Sequence, residues 1–152
     1  MEESIKSLKN YIEANLKNED DGSWEYVHRP IIRDIISNLN QTDSELLSVD
    51  ILNWDEETQF FLVDEITDSK NEYLDKSFLY CSILLKTNNH ENGEYLLENF
   101  LSMFNALDSS KCSIDFLEKL RAKVIEFSKA EINESHIFHK QYIEKLKNVF
   151  RE

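Results

Sequence analysis

Carboxylates dominate the side chains that could do chemistry in this chain: 30 Asp and Glu stand against 17 Lys and Arg and 4 His. Carboxylates at that density can work in pairs as acid and base, hold hard cations, or present negative potential to a cationic partner. The first two uses need companions that the sequence lacks. It contains no Gly-rich phosphate loop, no HExxH helix and no EF-hand loop. His136 and His139 lie three apart with Glu134 nearby, but a metal needs further ligands, so no metal site is expected. No arginine is followed four to six residues later by a histidine. Cys81 and Ser82 sit in an apolar run with no base close in sequence, and Cys81 reads as a small core residue. The expectation is a chain that is not an enzyme and uses no cofactor.

The third use fits the distribution of charge. The net charge is −13. Residues 1–42 carry −3, residues 43–110 carry −12 from 3 basic and 15 acidic groups, and residues 111–152 carry +2. Charge that served only solubility would be spread more evenly. A surface of this sign repels nucleic acid and anionic membranes and attracts basic proteins. Lys111, Lys119, Arg121, Lys123, Lys129, Lys140, Lys145 and Lys147 near the end are interspersed with acids, so they read as a solvated helical face. Neither nucleic acid nor membrane is therefore expected as a partner. No signal-peptide pattern is visible in residues 1–20, no apolar run reaches a spanning length, and Cys81 and Cys112 form no paired motif. A cytoplasmic location is the default expectation.

The elements that must position these carboxylates are helices. With 2 Gly and 1 Pro in 152 residues, the chain has few turn formers, and apolar residues recur at steps of three and four. Ile5, Leu8, Ile12 and Leu16 define a helix over 3–17. Asp20, Asp21 and Gly22 mark a turn, and 18–29 breaks the helical pattern. Pro30 suits the first turn of a helix carrying Ile31, Ile32, Ile35, Ile36 and Leu39. Thr42 with Glu45 reads as a capping box for a helix through Leu46, Leu47, Val49 and Leu52. Asp55 reads as the N-cap of a helix over 56–67. Further helices are expected over 73–87, 94–107, 114–130 and 134–150, the last capped by Asn133 or Ser135. The stretch 88–93, NNHENG, reads as a loop. The result is a single all-α domain over 1–152, an antiparallel array of seven or eight helices. Both a compact bundle and a HEAT-like stack of hairpins satisfy this pattern.

On the 56–67 helix, Leu62, Val63 and Ile66 fall on one side. Glu57, Phe61, Asp64, Glu65 and Asp68 fall on the other, which places an aromatic among carboxylates on an outward face. An exposed aromatic in complementary charge is the pattern of an interface anchor, although a helix packed on both sides would bury Phe61. Glu72, Tyr73 and Asp75 extend the acidic strip into the next connector. Glu91, Glu94 and Glu98 form a second acidic patch. Trp54 reads as a core or staple residue.

The segments DILNWDEETQFFLVDEI, DKSFLYCSILLKTNN and GEYLLENFLSMFNAL, within about 50–107, resemble small α-helical immunity proteins of bacterial contact-dependent inhibition and other polymorphic toxin systems. The resemblance covers about a third of the chain and rests on helix-forming patterns, so no functional residue is carried over from it. It implies a protein that binds a cognate toxin domain, often a nuclease with a basic cleft, and blocks it. A helical adaptor with a non-toxin partner and an acidic DNA mimic are the competing expectations.

Overall fold

The computed structural model describes residues 3–15, 27–127, 138, 140–145 and 147. Among them the chain is all-α and contains no strand. It divides into two compact units, residues 1–79 and 80–152. The expected turn at Asp20–Gly22, and Asn133, Glu134, Ser135, His136 and His139, lie outside the described residues.

The first unit holds α1 (Glu3–Asn15), α2 (Arg29–Ser37), α3 (Gln41–Asp50), a 3-10 turn (Ile51–Asn53) and α4 (Glu56–Asp68). α1 buries Ile5, Leu8 and Ile12, the stripe its spacing predicts. The backbone is already helical at Val27 and His28, earlier than the expected start at Pro30. Pro30 stands in the first turn of α2, where its missing N–H costs nothing, and Ile32 and Ile36 are the buried residues. α2 packs on α4, and α1 packs on α2 and α3.

The α3 cap differs from the expected box. Asn40, not Thr42, is the N-cap, and its Oδ1 accepts from the Asp43 amide at 2.8 Å. Asparagine two residues earlier supplies the same acceptor and lets the helix begin at Gln41. Val49 then points out and is 69% exposed, while Ser44 and Leu47 are buried. Asp55 caps α4 as expected, accepting from the Thr58 amide at 2.9 Å. Its carboxyl is held below the usual range by the Thr58 side chain and amide. Trp54 is buried, and its indole N–H donates to Asp50 Oδ2 at 2.7 Å.

α5 (Lys76–Lys86) carries the chain from one unit into the other, and all six residues from Leu79 to Leu84 are buried, Cys81 among them. The second unit continues with α6 (His90–Leu97), α7 (Phe100–Ala106), a 3-10 turn (Ser109–Lys111) and α8 (Ile114–Phe127). Helical backbone follows at 140–145. α6 packs on α7 and α8. Phe100, Phe104, Phe138 and Tyr142 form an aromatic core with ring centroids 5.3–6.1 Å apart.

Two boundaries here correct the sequence pattern. Only Asn88 and Asn89 of NNHENG lie outside a helix: Asn89 caps α6 through the Asn92 amide at 3.1 Å, and the helix runs through His90 and Gly93. The turn-forming residues serve as a cap and as a packing contact instead. The expected 94–107 helix is broken at 98–99, where Asn99 leaves helical geometry at φ −110° and ψ 5°. No helix among the described residues is long and apolar enough to cross a membrane.

Candidate interaction surface

α4 sorts its residues by angle. At about 100° per residue, Asp64, Asp68 and Phe61 fall within about 40° of Glu57, whereas Glu65 lies about 80° away, beside Thr58. The structure follows that division. Glu57 and Asp68 are exposed, and Phe61 and Asp64 are half-buried. Phe61 meets Phe60 edge to face, with ring centroids 5.7 Å apart. Thr58, Gln59, Leu62, Val63, Glu65 and Ile66 are buried.

Glu65 therefore does not share the outward face expected of it. It is 0% exposed, because α2 packs against that side of α4 and supplies two arginines. Arg29 Nε lies 3.0 Å and Arg33 Nη2 3.3 Å from Glu65 Oε1. Burial pushes the Glu65 carboxyl above its ordinary range, and the hydrogen bond and charge of Arg29, then Arg33, oppose that rise. Arg29 also reaches Asp64 at 3.6 Å, and Arg33 reaches Asp68 at 3.8 Å. The two arginines thus take up part of the charge of the α4 face. They were invisible as site residues in the sequence, since each pairs with a carboxylate more than thirty residues away. Their spacing of four on one helix was the only local sign that they act together.

The strip continues beyond α4. Glu72 and Tyr73 are exposed in the connector between α4 and α5, and Asp75 is half-buried. Asp75 caps α5, accepting from the Phe78 amide at 3.1 Å. Among the described residues, neither Glu57 nor Glu72 has an ion-pair partner; the connector has one lysine, Lys70, and Lys76 opens α5. Lys76 is directed to the Ser69 carbonyl.

The second unit has its own acidic face. Glu91, Glu94, Tyr95 and Glu98 lie within a narrow arc of α6 and its end, opposite the buried Gly93 and Leu96. Glu91, Tyr95 and Glu98 are exposed, and Glu94 is half-buried. A groove in the same unit is lined by Leu85, Lys86, Lys119, Ala122, Lys123 and Glu126. Two of its lysines are engaged: Lys119 pairs with Asp115 at 3.0 Å and Lys123 with Glu126 at 3.5 Å.

Both units therefore present exposed carboxylates around an aromatic on a helical frame. That arrangement can steer and hold a cationic protein surface. Compared with known proteins, the chain matches no family model, no curated protein and no solved structure.

Proposed function

We propose that the protein is an immunity-type inhibitor: it binds a basic protein, a cognate toxin domain with a cationic substrate cleft, and blocks that cleft. The observation that carries this reading is the outward face of α4 and its connector. Glu57, Asp64 and Asp68 flank Phe61, and Glu72 and Tyr73 follow in the connector, within the 43–110 segment whose net charge is −12 against −13 for the whole chain. Such a face gives fast, charge-steered encounter, and its aromatics give the desolvated contacts that hold a complex. Glu65 belongs to the frame of this surface, not to its contacts. Glu91 and Glu94 of α6 offer a second point of attachment.

The test uses the product of the gene immediately upstream, the expected toxin. Changing Glu57, Asp68 and Glu72 together to Lys should slow association by about 10- to 100-fold and remove protection from that product. All three side chains are exposed, so the fold should survive. A triple variant that binds and protects like the wild type refutes the surface. An upstream product that the wild type neither binds nor neutralises refutes the function.

A further inference from the structure

Tyr73 is 56% exposed, the largest exposure of any aromatic among the described residues, yet the backbone beneath it is firmly held. The holding group is Asn71, which is 4% exposed. Its Nδ2 donates to the Ile36 carbonyl of α2 and to Ser44 Oγ of α3, both at 2.8 Å. Its Oδ1 accepts from the amides of Tyr73 at 2.7 Å and Leu74 at 3.2 Å. One side chain thus ties the connector to two helices and holds the amides of Tyr73 and Leu74. The Lys70 amide donates to Ser37 Oγ at 3.0 Å, and Leu74 buries its side chain next to Tyr73 in the chain. An exposed aromatic on a fixed backbone loses little freedom when it is covered, which is the property of a binding anchor.

Its neighbours say what covers it. Glu72 beside it is exposed and has no ion pair among the described residues, whereas Asp68 already pairs with Arg33 and Asp75 accepts from the Phe78 amide, so these two add negative potential and Glu72 is the carboxylate left to pair. An aromatic ring beside a carboxylate suits a guanidinium, which stacks on the ring while its edge pairs with Glu72. An ammonium has no planar face to stack. We propose that the 69–75 connector is a preformed arginine-docking element, with Tyr73 as the stacking anchor and Asn71 as its positioning residue. The proposal deepens the binding function above by naming the group that the partner inserts.

The probes are two synthetic peptides, (Arg-Gly)5 and (Lys-Gly)5, titrated into isotope-labelled full-length protein and followed by NMR. The arginine peptide should bind about threefold tighter, with shifts centred on residues 68–75. Tyr73→Ala should abolish that preference and Tyr73→Phe should keep it. Asn71→Ser should also abolish it. A loss of stability alone would weaken both peptides alike and leave the ratio intact. Should Asn71→Ser fail to fold, the Tyr73 pair decides the matter, because that side chain is exposed. Equal affinity for the two peptides, shifts centred elsewhere, or an unchanged preference in Tyr73→Ala overturns the proposal. Arginine preference at the connector without binding of the upstream product would sink the toxin-inhibitor function and leave this site standing. Binding of that product without arginine preference would do the reverse.

Discussion

Arg29→Met is expected to lower the free energy of unfolding by about 3 kcal/mol at pH 8, and by distinctly less at pH 5.5. The substitution strands the Glu65 carboxylate, which is wholly buried and draws its nearest charge compensation from Arg29 Nε at 3.0 Å. Arg33, at 3.3 Å, is left as the remaining partner. The pH dependence follows from the direction of the Glu65 shift. Its folded pKa is raised, so as pH falls the native state takes up the proton before the unfolded chain does. Native stability at this site therefore falls as pH rises through the folded pKa. Without Arg29 the pKa rises further, so acidification neutralises the stranded carboxylate and recovers part of the loss. Glu65→Gln should cost less than Arg29→Met. The arginine side chains it releases are already 27% and 41% exposed and can turn to water. Urea unfolding of both variants at the two pH values decides this. Equal losses at pH 8 and 5.5, or a greater loss for Glu65→Gln, would show that the cluster is not a buried carboxylate held by α2.

The second large effect belongs to the other unit. Gly93→Ala should destabilise the protein by about 2 kcal/mol, although alanine is the better helix former by about 1 kcal/mol. A Cβ at Gly93 would lie 2.4 Å from Phe127 Cγ and 2.5 Å from both Cδ atoms. The ring cannot easily withdraw. Phe127 is buried, His90 meets it edge to face at 5.3 Å, and Lys123 Nζ lies 5.3 Å over its ring. Phe127→Leu in the same chain should recover part of the loss, giving a favourable coupling in a double-mutant cycle read by thermal unfolding. A Gly93→Ala protein as stable as wild type would mean that α6 and α8 do not pack through this glycine.

These two sites depend on contacts between residues distant in the chain, which no local pattern carries. The helices were legible because their signals are local. Ile5, Leu8 and Ile12 recur at helical spacing, and Asp55 reaches an amide three residues on. Gly93 misled because a glycine four residues after Asn89 imitates a turn. What it answers to is an aromatic ring thirty-four residues away, against which the helical segment packs at its glycine. The α3 cap stands two residues before the expected Thr42, since Asn40 and Thr42 offer similar acceptors and only geometry chooses between them.

The acidic face was legible in part. The angle about α4 separated Glu57 and Asp68 from the core, and both are exposed. Glu65 lies on the buried side, because its angle is marginal and α2 packs against it. An arginine pair packed there turned a borderline carboxylate into a buried one. Asn71 carried no pattern at all, since its importance lies in bonds to Ile36 and Ser44, distant in the chain. Negative charge concentrated in 43–110 was plain from the outset. How much of it stays free of partners required the arginines of α2 to be placed.

In the proposed function, exposed carboxylates of α4 and its connector draw in a basic protein. The most direct measurement is the association rate of the purified protein with the upstream-encoded product over a salt series from about 50 to 500 mM, a range in which the screening length shrinks from about 14 to about 4 Å. A rate that falls at least tenfold across the series, with a dissociation rate that changes far less, is the result expected of charge-steered docking. An association rate indifferent to salt would contradict it.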